Sequence, residues 1–469
     1  MKRPLVLLLG LFAMTASTSL LADPANPAVS LLDTNTPDAK IVTPADSGNS
    51  GTNSDTQEQL WNLHFQNTDI VQYHPGFSSL YTGPQSLSGT PAQAETVSAD
   101  IYAGLRLWQA AQIHLDGLMC QGFGFDGTHG VAGFPNGEAF KIGTWIPKFN
   151  LARCFISQVF GFGGPQEMIQ DDQTHLAGQQ DISRLTVTAG RMSATDIFDN
   201  NTYAGSPRTQ FMNWDFLSDA AWDFPADSLG FISGIAFDFN QKDWALRYGV
   251  FQVPDMINGM VEDDQILKAW AMVSEAERRF TINEHPGKLR FLAYMNQADM
   301  GNYQQSLDNM AAYGGPINIA ATRTYSLKYG FGLNGEQEIV KDVGIFSRIG
   351  WSNGQTEDWM NTDVDWTATL GLSVAGSYWN RPNDTFGTAY AIDGLSAVHA
   401  LYFNAGGQGL LLGDGALNYA TEQVSETYYS FQIAKGVTLT ADYQFINNPG
   451  YNIVRGPVSV LSARAHFEF

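Results

Sequence analysis

The chain has 469 residues, of which 44% are hydrophobic and only 15% are charged, and its formal net charge is −22. No cluster of basic residues occurs, which excludes nucleic acid as a partner because phosphate binding needs grouped Lys and Arg. Few charges together with 47 glycines and 12% aromatic residues favour a barrel whose outer wall faces lipid. The acidic excess either concentrates cations at a channel mouth or solvates the loops, and both readings stay open.

The first residues have the pattern of an export signal. Residues 1–22 carry Lys2 and Arg3, then a short apolar stretch, and end at Ala22, which predicts a secretory leader cleaved after Ala22. Residues 23–57 are rich in Pro, Asn, Asp, Ser and Thr, and they are expected to form a disordered periplasmic tether. No later segment approaches the roughly 20 apolar residues of a membrane helix. Residues 58–469 can therefore sit in a membrane only as a closed barrel.

From Leu60 onward, segments of about ten residues alternate between apolar and polar side chains, which is typical of transmembrane strands. The alternation is clearest in residues 325–334 and recurs in 101–107, 231–239, 289–295 and 370–374. The residue count predicts an all-β, antiparallel transmembrane barrel of about 16 strands, with 18 also fitting, joined by long extracellular loops and short periplasmic turns. A barrel of that size can hold an aqueous channel.

The C-terminal part of the sequence predicts a hairpin and a closing strand. Alternating residues 428–433 and 437–445 flank the turn at Lys435 and Gly436, which indicates a hairpin with a tight turn. The last strand places Leu461, Ala463, Ala465 and Phe467 on its lipid face, and the chain stops at Phe469. A terminal Phe on such a strand resembles the assembly signal of bacterial outer-membrane barrels.

Two cysteines, Cys120 and Cys154, are too few for a disulfide framework. If residues 121–148 form the loop of one hairpin, the two side chains could face each other across neighbouring strands, and export would permit a bridge. Two free thiols are the alternative, since the sequence does not supply the geometry that a bridge requires.

Several segments resemble the carbohydrate-selective porins of the OprB type, in the same order and over nearly the whole chain after the leader. They are FQNTDIVQYHPGF (65–77), GEAFKIG (137–143), DIFDNNTYA (196–204), QFMNWDFL (210–217), PGKLR (286–290), LLLGDGALNY (410–419) and DYQFINNPGYNIVRGPVSV (442–460). The resemblance implies a 16-stranded outer-membrane barrel that passes sugars, often monosaccharides such as glucose. It also implies a second reading, since some relatives pass divalent cations such as manganese.

Arginines on the polar side of the strands are the first candidates for the pore lining, because selectivity needs donors and charges at a constriction. They are Arg106, Arg184, Arg247, Arg290, Arg348 and Arg464. The alternative is that these side chains pair with carboxylates to hold the wall and its loops in shape. Trp108 shares the parity of Arg106 and is either a stacking surface for sugars or part of an aromatic girdle.

The segment 196–227 is too long for a turn and too polar for the wall, and long loops often carry function. If it folds back into the barrel, it forms the constriction; otherwise it is a surface loop. Its candidate residues are Asp196, Asp199, Tyr203 and Trp214. Residues 296–316 form a second candidate loop.

Enzyme motifs are weak, so no catalytic residue, cofactor or metal is predicted. Gly122, Gly124 and Gly127 have dinucleotide-site spacing but lack the strand and helix that such a site requires. The eight histidines show no metal-binding spacing. We therefore predict an outer-membrane porin, monomeric or homotrimeric, whose partners are membrane lipids and small hydrophilic solutes. The alternatives are a divalent-cation channel and a plugged barrel that acts in binding or adhesion.

Overall fold

A computed structural model describes residues 58–139, 143–361 and 363–469. The predicted leader (1–22) and tether (23–57) lie outside the described residues. Among the described residues, sixteen antiparallel strands close a barrel in which the last strand pairs with the first. The all-β barrel is confirmed, with sixteen rather than eighteen strands in the wall.

Two further strands, β5 and β6, form a separate hairpin between β4 and β7. In chain order the strands are β1 (Trp61–His74), β2 (Ala92–Trp108), β3 (Ala111–Phe123), β4 (Thr144–Gly161), β5 (Gln166–Ile169), β6 (Gly178–Asp181), β7 (Arg184–Met192), β8 (Ile232–Asn240), β9 (Trp244–Phe251), β10 (Trp270–Ile282), β11 (His285–Met300), β12 (Thr324–Val340), β13 (Val343–Ser352), β14 (Trp366–Ala375), β15 (Thr385–Gly394), β16 (Glu422–Ala434), β17 (Val437–Asn447) and β18 (Val458–Glu468).

Helices are confined to the connections. The α-helices of the described residues are α1 (Tyr303–Tyr313) and α2 (Ala397–Asn404), and single 3₁₀ turns lie at Phe125–Gly127, Gly137–Ala139, Ala194–Asp196, Trp214–Phe216, Ala320–Thr322, Gly376–Trp379 and Pro449–Tyr451. None of the described helices has the length and apolarity needed to cross a bilayer. The second predicted loop, residues 296–316, begins only after Met300, because residues 296–300 belong to β11, and α1 lies within this loop.

Period-two alternation explains the wall, since successive side chains of a strand point to opposite faces. In β12, for example, Tyr329 and Phe331 are exposed on the outer face while Lys328 and Asn334 are buried on the inner one. Inner and outer faces stay matched around the barrel because neighbouring strands pair residue by residue. An exception to the predicted faces is Phe231, which precedes β8 and is buried.

The two ends of the barrel differ. At the short-turn end, two or three residues join β2 to β3, β8 to β9, β10 to β11, β12 to β13 and β16 to β17. The turn at Lys435 and Gly436 is one of these, as predicted from the sequence. The opposite, long-loop end carries the connections that include α1 and α2. Since all strands are antiparallel, these loops start and finish at the long-loop end, whereas the connection from β4 to β7, which contains β5 and β6, lies at the short-turn end.

The disulfide left open by the sequence is not formed, because both cysteines are free. In the β3–β4 pairing, Cys120 lies opposite Lys148 and Cys154 lies opposite Leu115. Cys120 is buried on the inner face, whereas Leu115 beside Cys154 is exposed on the outer one. The strand pairing therefore puts the two thiols on opposite faces of the wall, where no bridge can join them.

Candidate functional site in the barrel lumen

The connection between β7 and β8, residues 193–231, runs through the interior of the barrel, and we call it the inner loop. Its backbone is held by side chains from distant strands. Glu275 of β10 accepts the amide of Asp199 at 2.7 Å, and Glu426 of β16 accepts the amide of Met212 at 2.6 Å. Tyr294 of β11 donates its hydroxyl to the carbonyl of Ala221 at 2.8 Å. Because these strands lie on different sides of the barrel, the inner loop crosses the lumen.

Aromatic packing explains why a polar-looking segment is stable inside. Trp214 is buried, and its ring stacks on Phe134 at 4.9 Å and on Phe224 at 5.8 Å. The Asn213 side chain accepts the amide of Asp215 and caps the 3₁₀ turn that presents Trp214. Trp214 was predicted as a pore-lining candidate, and the structure places it within a packed aromatic cluster.

Arg348 and Arg464 point from the wall into the inner loop. Arg348 donates to the carbonyls of Asp199 (3.0 Å), Ala204 (2.8 Å) and Phe216 (3.0 Å). Arg464 donates to two further carbonyls of the inner loop, each at 2.7 Å. Both arginines are at most 1% exposed. These guanidinium groups satisfy loop carbonyls that would otherwise be buried without a donor.

Arg247 and Arg290 belong to a buried ionic network on β9 to β12. Arg247 lies 2.6 Å from Glu275 and 3.2 Å from Glu277. Arg290 lies 2.8 Å from Glu277 and 3.3 Å from Glu336. All these side chains are buried on the inner face of the wall, so their guanidinium groups meet carboxylates and offer little surface to a passing solute.

The remaining predicted wall residues lie at the short-turn end, away from the inner loop. Arg106 donates to the carbonyls of Gln59 and Ala177, and Arg184 pairs with Glu167 of β5. Trp108 closes β2 next to a register shift and is 59% exposed, and its indole donates to the side chain of Gln158 on β4.

Arg153 of β4 is a lumen residue that the period-two pattern missed. A register shift against β3 leaves Ala152 as an extra residue, so that Arg153 pairs with Asp116 on the inner face. Such a bulge reverses the alternation on one side of it. Arg153 bonds Asp116 at 2.7 Å and makes a two-pronged contact with Asp196 of the inner loop, both bonds at 2.7 Å. Its side chain stays 16% exposed and that of Asp196 25%.

A second bridge joins the inner loop to the wall at Arg208. Its guanidinium contacts Asp100 of β2, bonds Gln66 of β1 at 2.8 Å and pairs with Glu138 at 3.0 Å. Arg208 and Glu138 remain partly exposed, whereas Asp100 is buried. The sequence contained a signal for these bridges, since Asp100 and Asp116 lie on the polar parity of their strands.

Asp199 and Tyr203 complete the set of predicted loop residues. The Asp199 carboxylate lies 3.0 Å from Nε of Arg348 and accepts the Asn334 amide at 2.7 Å. The Tyr203 ring covers Gly344 of β13, where an added Cβ would lie 1.9 Å from the ring. Tyr203 stays partly exposed, and burial, reinforced by the charge of Glu336, raises the pKa of its phenol.

Exposure shows where the lumen stays open. The inward-facing residues Thr186, Thr188 and Asp238 of β7 and β8 are partly exposed. On the far side, Asn296 of β11 and Glu426 of β16 are fully buried beneath the inner loop. The open space therefore lies between the inner loop and the wall formed by β4, β7 and β8, beside the two arginine bridges.

One buried group of side chains has the composition of a metal site. Donor atoms of Asp358, Asp365 and His399 all lie within 4.8 Å of one another. The ammonium of Lys328 already lies 2.6 Å from Asp358 and 3.9 Å from Asp365. Because lysine supplies the positive charge there, the arrangement acts as an ionic clamp that ties two long loops to β12.

Comparisons with known proteins agree with this architecture. A model of the family described as carbohydrate-selective porin, OprB family, matches residues 85–469. The high-pH structure of OprB from Pseudomonas putida superposes with a TM-score of 0.66 at 16% identity, covering 87% of this chain and 94% of that chain.

Two other solved structures align over similar lengths. The low-pH structure of Pseudomonas putida OprB has a TM-score of 0.47 at 13% identity, covering 87% of this chain and 93% of that chain. Salmonella typhi OmpF in complex with daunomycin has a TM-score of 0.47 at 9% identity, covering 88% and 98%. No curated protein sequence matches the chain.

Proposed function

This chain belongs to the carbohydrate-selective porin family of the OprB type, and on that basis we propose that sugars cross the outer membrane between its inner loop and the wall of β4, β7 and β8. Members of the family are channels, and diffusion through a fixed lumen needs no cofactor. The proposed path is the part of the lumen where inward-facing side chains remain exposed.

The observation that carries the proposal is the pair of arginine bridges at the edge of the open space. Arg153 faces Asp196, and Arg208 faces Glu138, with all four side chains partly exposed. Such pairs offer fixed donors and acceptors for sugar hydroxyls. With Asp116 and Asp100 included, the two arginines face four carboxylates. The resulting field acts on ions, whereas a neutral sugar carries no net charge for it to repel.

Neighbouring side chains extend this polar surface. The hydroxyls of Thr186 and Thr188 lie on the same wall as Arg153, because β7 pairs directly with β4. Asp196 is the predicted loop residue that remains partly exposed on this side of the inner loop. Because the inner loop fills much of the lumen, we expect monosaccharides such as glucose to pass faster than disaccharides.

The test is the swelling rate of liposomes that contain the refolded protein, with glucose, a disaccharide, an amino acid and manganese chloride at matched osmolarity. We expect rapid glucose entry that falls steeply with sugar size. In the double variant Arg153→Gln/Arg208→Gln, the ratio of glucose to disaccharide entry should fall, since the bridges no longer narrow the path. Arg278→Gln is the matched control, because Arg278 is exposed on the outer face of β10.

The other outcomes are decisive. Rapid manganese entry with slow sugar entry would favour the divalent-cation channel. If no solute enters, the barrel is plugged and acts in binding or adhesion. Unchanged size discrimination in the double variant would refute the proposed path while leaving the family membership intact.

A further inference from the structure

The longest connection at the short-turn end joins β4 to β7 and contains the β5–β6 hairpin. Between these two strands, residues 170–177 leave the hairpin and turn back toward the barrel, and we call them the mouth segment. Leu176 within it is 0% exposed. An apolar side chain at the end of a barrel becomes fully buried when it packs against the inner face of the wall.

Asn62 of β1 anchors the mouth segment. This side chain is 5% exposed and lies on the inner face, since an added Cβ on the paired Gly104 would be 2.3 Å from it. Its amide donates to the Asp171 carboxylate at 2.8 Å and to the carbonyls of Asp172 at 2.9 Å and His175 at 3.1 Å. The Asn62 side chain therefore binds three residues of the mouth segment.

Contacts with three neighbouring strands place the mouth segment across part of the opening. The amide of Leu176 donates to Gln112 of β3 at 2.9 Å, and Arg106 of β2 donates to the carbonyl of Ala177 at 3.3 Å. Gln173 donates to Glu468 of β18. The segment thus covers the inner faces of β18, β1, β2 and β3.

The exposed charges around this segment are mainly negative. The side chains of Asp171, Asp172 and Glu468 are 38%, 26% and 21% exposed. Each of these carboxylates has a histidine beside it: His64 lies 3.1 Å from Asp171, His175 lies 3.0 Å from Asp172 and His466 lies 3.4 Å from Glu468. Burial opposes the charged imidazole of His175, but the Asp172 carboxylate outweighs burial and raises its pKa.

We propose that the mouth segment is a second filter, in series with the inner loop, which narrows the short-turn mouth and favours cations over anions there. The proposal rests on the channel function and concerns the opposite mouth from the long loops. Solutes that pass the arginine bridges meet this acidic segment on their way out. The inner loop then determines the size of sugar that passes, and the mouth segment determines the ratio of cation to anion permeability.

Three variants of the full-length protein test this in planar bilayers with a potassium chloride gradient. Asp171→Asn removes a charge but keeps an oxygen that accepts the Asn62 amide. Asn62→Ala releases the segment without touching the wall, whose ladder is made of backbone bonds. Replacing residues 170–177 by the dipeptide Asn-Gly joins the paired ends Ile169 and Gly178 by a two-residue turn.

We expect Asp171→Asn to lower the cation-to-anion permeability ratio about twofold at 0.1 M salt, which is the effect of removing one unit charge that acts across about one Debye length. Asn62→Ala and the shortened hairpin should raise the single-channel conductance. Asp243→Asn is the matched control, since Asp243 is exposed in the β8–β9 turn at the same end, and its ratio should stay at the wild-type value.

Wild-type conductance and permeability ratio in all three variants would overturn the proposal. An equal change in Asp243→Asn would also overturn it, because the effect would then belong to the net charge of that end. If the wild-type protein conducts potassium chloride but passes no glucose, the sugar path fails, and the ion permeabilities still decide the role of the mouth segment.

Discussion

Replacing Arg348 by methionine should release the inner loop from the wall. Arg348 donates to three carbonyls of this loop and forms an ion pair with Asp199. The substitution keeps an apolar stem of similar length, but it leaves the three carbonyls without this donor and the buried Asp199 carboxylate without its cationic partner. Removing one partner of a buried ion pair costs about 3–5 kcal/mol. The strand pairs on both sides of Arg348 are made by backbone groups and should persist.

That cost corresponds to a rise in loop opening of roughly a hundredfold to a few thousandfold, at about 1.4 kcal/mol for each factor of ten. Hydrogen exchange on the detergent-solubilised protein measures it. The amides of Asp199 and Met212, which donate to Glu275 and Glu426, should lose protection by about this factor as the loop opens. Amides within the barrel strands should keep theirs.

A double variant separates the ion pair from general damage. In Arg348→Met/Asp199→Asn the uncompensated carboxylate is gone, so part of the lost protection should return. Arg278→Met is the control for loss of an arginine at an exposed position. Wild-type protection of the inner loop in Arg348→Met would refute the conclusion that this arginine holds the loop.

Two further predictions concern the inner loop and the cysteines. Burial, together with the nearby Asp199 carboxylate, raises the pKa of Asp219 to about 8. A carboxyl group with a raised pKa stabilises the folded protein at low pH, where it is protonated. This contribution to the free energy of unfolding is lost as the pH rises from about 4 to about 8, by on the order of 1.4 kcal/mol per pH unit. Thermal unfolding should therefore show a smaller loss of stability between pH 5 and 9 in Asp219→Asn than in the wild type, and equal losses would contradict the assignment. Both Cys120 and Cys154 are free, so two thiols per chain should react with a thiol reagent after unfolding without reductant, and no reactive thiol would indicate a bridge.

Much of the wall followed from the sequence because strand alternation is a local property. It placed Arg247, Arg290, Arg348 and Arg464 on the inner face, where the structure has them. It also identified the hairpin around Lys435 and Gly436. The route of the inner loop was one of two readings, since a long polar segment has the same pattern inside a barrel or on its surface.

The sequence by itself predicted the barrel, most of its strand faces and the family, because alternation and short motifs depend on neighbours a few residues apart. Only the tertiary structure decided what fills the lumen. Met212 meets Glu426 across 214 positions of the chain, and no local pattern encodes such a contact. The bulge at Ala152 turned Arg153 inward, and one extra residue is enough to reverse a face because the side-chain period is two. The same dependence on pairing left Cys120 and Cys154 on opposite sides of the wall.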